Sequence, residues 1–252
     1  MGAASTTRSP VLAGATTGIT REDIEADAAR ADFARSPFAR SQLLSEADLQ
    51  RSLEATLAGW NGYDDIWVFG YGSLIWNPCL RHIGRQRALV RGFHRRFCLW
   101  SSVYRGTPEQ PGLVLALDRG GSVRGVVYRI APDQVRQELL LLWRREMTGG
   151  SYVARWLRAD LPDAADTQPR KVSAIGFVVN HSAKSYAGHL PDDEIVRILV
   201  TASGRYGSGA DYLYQTDAAM RAAGIVDPYL DRLCRRVAMM HLGPRCGPAP
   251  CG

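Results

Sequence analysis

The sequence predicts an α+β fold built on a closed or highly curved sheet, and three observations carry that reading. Apolar, β-prone runs recur around residues 66–74, 88–100, 112–118 and 123–130, separated by turns bearing glycine and proline. A strongly patterned helix follows at residues 133–147, which sets strands and helices apart instead of alternating them. The chain has 252 residues and ordinary apolar content, enough to bury one real core, and a single domain with loose ends is the simplest division.

In chain order, residues 1–18 are small and polar without periodicity and predict disorder. Residues 19–62 read as a helical arm. Thr20 with Asp23 three residues later is a capping-box start, and the helix runs past Ile24, Ala28 and Ala31 toward Phe33. Ser45 opens a second helix with Leu49, Leu53 and Leu57 on one face, stopped by the segment Gly59-Trp60-Asn61-Gly62. The arm is assigned a packing role.

The main domain spans residues 63–241. Its first strand, from Ile66, ends in the turn Gly70-Tyr71-Gly72-Ser73. The two glycines suit turn conformations and close approach to a ligand, and successive N–H groups in such a turn form an anion site. The competing reading is strand-to-loop punctuation, so a chemical partner elsewhere in the chain has to decide. A dinucleotide fingerprint is excluded, because Ile75 stands where a third glycine would be needed. Residues 88–100 alternate apolar and basic side chains as a long strand or bulged pair, with His94 on the surface. Residues 112–118 and 123–130 read as an antiparallel pair across Gly120-Gly121.

The helix at 133–147 places Val135, Leu139, Leu142 and Trp143 on one stripe, and Glu146 falls on that same stripe. A carboxyl aimed at apolar surroundings is rarely left without a partner, and desolvation raises its pKa toward the range a general base and acid needs. The alternative is a salt bridge to Arg145 or another arginine, although on the wheel Arg144 and Arg145 point elsewhere. Gly149-Gly150 ends the helix. Strands at 151–161 and 172–179, helices at 192–202, 211–222 and 228–240, and a second glycine-rich loop at 203–209 complete the domain. Residues 242–252, rich in proline and glycine, predict a disordered tail.

Composition narrows the function classes. The net charge of +6 is almost wholly arginine and scattered, which suits attraction of small anions better than nucleic acid. Five cysteines form no CxxC pair or zinc spacing, and their odd count fits a reduced, cytoplasmic protein. No run approaches the roughly 20 apolar residues of a membrane span, and the N-terminus lacks a secretory core. Gly2 with Thr6 fits the loose myristoylation pattern, which small polar residues meet by chance.

Several separated motifs together resemble one family. They are Val68-Phe69-Gly70-Tyr71-Gly72-Ser73-Leu74-Ile75-Trp76-Asn77-Pro78, Arg91-Gly92-Phe93-His94-Arg95-Arg96-Phe97, Arg105-Gly106-Thr107-Pro108, Trp143-Arg144-Arg145-Glu146-Met147-Thr148-Gly149-Gly150, and Ser203-Gly204 ahead of Asp211-Tyr212-Leu213. In this order, over residues 66–235, the chain resembles the ChaC family of glutathione-specific γ-glutamylcyclotransferases, and the helical arm is similar to the extension of bacterial members. The resemblance implies a small mixed β-barrel with flanking helices, and cleavage of glutathione to 5-oxoproline and cysteinylglycine without metal or organic cofactor. It implies Glu146 as the acid/base, and substrate binding by Tyr71, Gly72, Ser73, Leu74 and Tyr212. The segment Arg205-Tyr206-Gly207-Ser208-Gly209 departs from the commoner form of its loop. The partner implied is a small molecule, with no nucleic acid and no membrane; oligomeric state is left open. Two alternatives stand beside this reading: a non-enzymatic glutathione- or transporter-linked regulatory protein, and a cyclotransferase for other γ-glutamyl compounds.

Overall fold

The computed structural model describes residues 18–162 and 170–242. The segments predicted to be disordered at the two ends lie outside the described residues, apart from Gly18 and Leu242.

The described residues open with four helices: α1 (Arg21–Glu25), α2 (Ala28–Arg35), α3 (Pro37–Arg40) and α4 (Glu46–Leu57). Thr20 and Ser45 cap α1 and α4 with complete capping boxes to Asp23 and Asp48, each satisfying N–H groups that a helix start leaves open. The first predicted helix is broken in two because Asp27 takes a left-handed conformation, φ 56°.

Five strands then close a barrel in the order β1-β3-β2-β4-β5: β1 (Ile66–Gly70), β2 (Gly84–Ser101), β3 (Gly112–Ile130), β4 (Tyr152–Leu161) and β5 (Arg170–Val179). β1 pairs antiparallel with β3 and parallel with β5, which closes the ring and leaves β1 buried on both faces. Alternation along β1 divides the core. Trp67 and Phe69 join Val90, Leu117, Leu157 and Ala174 in a cluster supplied by the strands and Tyr71, the barrel interior. Ile66 and Val68 face outward into a larger cluster with the helices.

The predicted hairpin at Gly120-Gly121 is corrected: residues 112–130 are one continuous strand paired along its length with β2. Gly120 and Gly121 have φ of 99° and 70°, and the register shifts between Arg91 and Phe93 opposite them. The glycines make a bulge, which bends the ribbon toward closure.

Helix α5 (Val135–Glu146) packs across the barrel, with Trp143 fully buried and its ring 5.5 Å from that of Phe177. Gly150, at φ 63°, turns the chain out of it. Helices α6 (Asp192–Thr201), α7 (Gly209–Ala222) and α8 (Pro228–His241) complete the outer layer, burying Ile195, Leu199, Leu213, Leu230 and Val237 in the same cluster. No helix among the described residues is long and apolar enough to cross a membrane.

Candidate active site

The chain leaves β1 through Tyr71 and Gly72 into a short 3-10 turn, Ser73–Ile75. The Gly72 carbonyl accepts from Ile75 N–H at 2.9 Å and the Ser73 carbonyl from Asn77 N–H at 2.8 Å. Tyr128 donates to the Leu74 carbonyl at 2.7 Å and steadies the turn from the core side. The amides of Gly72, Ser73 and Leu74 have no acceptor among the described residues, so three successive N–H groups remain for a ligand. Tyr71 donates its hydroxyl to the Phe177 carbonyl at 2.8 Å, which fixes the ring in the wall.

The glycines of this turn serve differently from the sequence expectation. Neither Gly70 nor Gly72 takes a positive φ. What Gly72 supplies is room: a β-carbon there would stand 3.1 Å from the Tyr212 hydroxyl.

Glu146 ends α5 facing this turn, its side chain 13 % exposed. Burial pushes its carboxyl above the usual range, and the neighbouring Arg145 guanidinium opposes that rise without cancelling it. Arg145 corrects the helical-wheel reading. Its Nε lies 3.0 Å from Glu146 Oε1, while its two terminal nitrogens donate to the Asn77 carbonyl at 2.5 Å and to Ser73 Oγ at 3.1 Å. The wheel gives the direction of a β-carbon, and a long side chain in a last helical turn reaches past it. The ion pair and the pocket-facing carboxyl are therefore both present, and Arg145 ties Glu146 to the Ser73 turn.

Two neighbouring spaces share Glu146 in their walls. An inner recess of about 20 Å³ is walled by Tyr71, Gly72, Ser73, Leu74, Leu115 and Phe177, together with Tyr152 and Tyr212. An outer chamber of about 140 Å³ opens beyond it, bordered by Trp76, Tyr104, Arg105 and Tyr206. Glu146, Ser73, Tyr152 and Tyr212 border both spaces. All the residues expected at the site, Tyr71, Gly72, Ser73, Leu74, Glu146 and Tyr212, thus come together at one place.

A family model described as "ChaC-like protein" matches residues 66–240. The chain belongs to the ChaC family. A glutathione-specific γ-glutamylcyclotransferase of Escherichia coli (strain K12) is 39 % identical over 182 residues, covering 72 % of this chain and 77 % of that one. The Homo sapiens glutathione-specific γ-glutamylcyclotransferase 1 is 32 % identical over 161 residues, 63 % of this chain and 71 % of its own. Among solved structures, the yeast γ-glutamylcyclotransferase specific to glutathione superposes with a TM-score of 0.64 at 24 % identity, covering 70 % of this chain and 96 % of that one, a likeness of fold.

Outside the stretch matched by the ChaC model, the N-terminal helices also reach the chamber, which their assignment as packing did not foresee. Gly18, Ile19, Phe33, Ala39 and Gln42 form part of its wall. The Ile19 carbonyl accepts from Asn77 Nδ2 at 2.7 Å, and the Phe33 ring stacks on Tyr104 at 6.3 Å. Buried Asp32 pairs with Arg205 at 2.5 Å, inside the loop whose sequence departs from the commoner ChaC form. Tyr152 was read only as a strand residue, yet it borders both spaces and donates to the Leu115 carbonyl at 3.0 Å. It lies on the face of β4 that packs with Phe177 against the helices, opposite in parity to the interior residues Leu157 and Ala159.

Proposed function

We propose that the protein is a glutathione-specific γ-glutamylcyclotransferase, releasing 5-oxoproline and cysteinylglycine, with Glu146 as general base and then acid. The observation that carries this reading is the position of Glu146, a carboxyl with raised proton affinity at the junction of two spaces, opposite a turn with three free amides. The relatives named above support the choice of reaction and substrate.

The γ-linkage gives the substrate its own nucleophile. With the glutamyl group held between the Tyr71–Leu74 turn and Glu146, its α-amine closes on its γ-carbonyl carbon, forming the ring C–N bond of a five-membered lactam. The bond to the cysteinyl nitrogen then breaks. Ionised Glu146 first takes a proton from the α-ammonium, which frees the attacking lone pair, and later delivers a proton to the departing nitrogen. Of the three ammonium protons one stays on the lactam and two end on the new amino terminus, so no water or redox partner enters. The turn amides stabilise the tetrahedral oxyanion or hold the α-carboxylate, and holding the glutamyl group between the turn and Glu146 fixes the attack geometry.

Residues 63–241 make the catalytic domain of this proposal, and residues 19–62 an arm that closes the outer chamber. A cytoplasmic location suits a substrate of the reducing compartment and the free cysteines Cys79, Cys98 and Cys234. Retention of Glu146 favours the enzyme over a purely regulatory protein with the same pocket. The test is turnover of reduced glutathione against γ-glutamylalanine. Preference for glutathione by a wide margin supports the reading, and equal or better use of γ-glutamylalanine moves the protein to a broader γ-glutamyl class.

A further inference from the structure

Three arginines among the described residues are buried: Arg95, Arg105 and Arg145. Arg95 pairs with Asp227 at 3.2 Å, and Arg145 with Glu146 at 3.0 Å. Arg105, only 4 % exposed, has no carboxylate within ion-pair distance. Its side chain makes one long hydrogen bond, 3.5 Å from Nη1 to the Ser208 carbonyl. The nearby Asp211 carboxylate is already engaged, accepting from the N–H and the hydroxyl of Ser208 at 3.1 and 2.7 Å. A buried cation left this way is costly, and the guanidinium's place over the rings of Tyr212 and Trp76, at 5.3 and 5.8 Å, offsets only part of that cost. Consistently, burial pushes its pKa down from the usual arginine value.

The backbone around Arg105 is held tightly. Its own N–H donates to Ser101 Oγ at 3.0 Å, and the neighbouring carbonyls of Val103 and Tyr104 accept from Arg205 and Tyr206 at 3.2 and 3.1 Å. Gly106 and Gly204 make this approach possible, since a β-carbon on Gly204 would stand 2.5 Å from the Gly106 nitrogen. The guanidinium borders the outer chamber and is absent from the wall of the inner recess, whereas Glu146 and Tyr212 border both. With the reacting carbonyl beside Glu146 and the glutamyl group against the Ser73 turn, the other half of the tripeptide extends across the chamber of about 140 Å³ that Arg105 borders. Its one anionic group is the terminal carboxylate, and a planar guanidinium fork is suited to take it with two parallel hydrogen bonds.

We propose that Arg105 is the specificity residue that anchors the C-terminal glycine carboxylate of the substrate. This rests on the cyclotransferase reading of the same site. It makes a free carboxylate two residues beyond the scissile bond a requirement for tight binding, and disfavours γ-glutamyl amines that lack one.

The test is titration calorimetry with glutathione and with γ-glutamylcysteinylglycinamide, its C-terminal amide, in the Glu146→Gln background. Protein carrying Arg105 is expected to bind glutathione at least about tenfold more tightly than the amide. Adding Arg105→Gln is expected to abolish that preference, and Arg105→Lys to keep part of it. Equal binding of the two ligands with Arg105 intact overturns the proposal without any dependence on how the variant folds. So does an equal loss of both ligands in a folded Arg105→Gln protein, the pattern of an anchor for the glutamyl carboxylate instead. Release of 5-oxoproline by the wild type is followed separately. Its absence removes the cyclotransferase reading, while the ligand preference still decides the role of Arg105.

Discussion

At Glu146 two forces act in opposite directions on one proton: burial favours the neutral acid, and Arg145 at 3.0 Å favours the carboxylate. Burial prevails, and two consequences follow with a definite sign. As the proposed base Glu146 must be ionised, so kcat/KM for glutathione should fall on the acid side with a midpoint above the usual carboxylate range, checked by a pH–rate profile. For stability, a folded pKa raised above the unfolded one means that the folded state holds the proton over the interval between them, so this group's contribution declines as pH rises through that interval. Glu146→Gln removes the decline. Its melting temperature should therefore gain on the wild type between acidic and neutral pH, and a gain of the opposite sign would contradict the burial argument. Gly72 is the second residue with a specific requirement. Gly72→Ala places a methyl 3.1 Å from the Tyr212 hydroxyl, and the resulting shift of the turn should lower kcat/KM by about tenfold or more with little loss of fold. At this scale the sequence was legible where a residue broke its local pattern, as Glu146 does on an apolar stripe. Arg145 was legible only as a possible salt-bridge partner of Glu146, and the place of Arg105 not at all, because long side chains find their partners through tertiary packing that no local period encodes.

Among the elements, α5 does most to organise the site. Its apolar face packs on the barrel, its last residue is Glu146, and Glu138 in its first turn is 1 % exposed. Glu138 accepts from Arg21 at 2.7 and 3.0 Å and from the Arg81 N–H at 2.8 Å, which fastens α1 to the core beside the chamber. Arg21→Ala would leave that carboxylate buried with the amide alone, and should cost about 3–5 kcal/mol in urea unfolding. If the arm also closes the chamber, KM for glutathione should rise in the same variant; unchanged stability would mean that the arm is held elsewhere. The helices and their caps were legible because capping boxes and 3.6-residue periods are local. The continuity of β3 was not. Gly120-Gly121 has the composition of a hairpin turn, and only pairing with the whole of β2 makes it a bulge.

For the molecule as a whole, the barrel brings together segments far apart in the chain. The turn after β1, the end of α5, the loop at Arg105, the start of α7 and the N-terminal helices all reach one chamber. The fold class and the turn-plus-glutamate pairing were legible in the sequence, the second with the help of the family resemblance. The division into an inner recess and an outer chamber was not, because it depends on how the barrel closes and where the arm docks. The most direct measurement is the yield of 5-oxoproline and cysteinylglycine from reduced glutathione, with purified wild type beside Glu146→Gln. Equimolar products from the wild type and none from the folded variant are the result expected. Folded wild-type protein that binds glutathione but releases neither product, or a Glu146→Gln protein that turns over at the wild-type rate, would contradict the account.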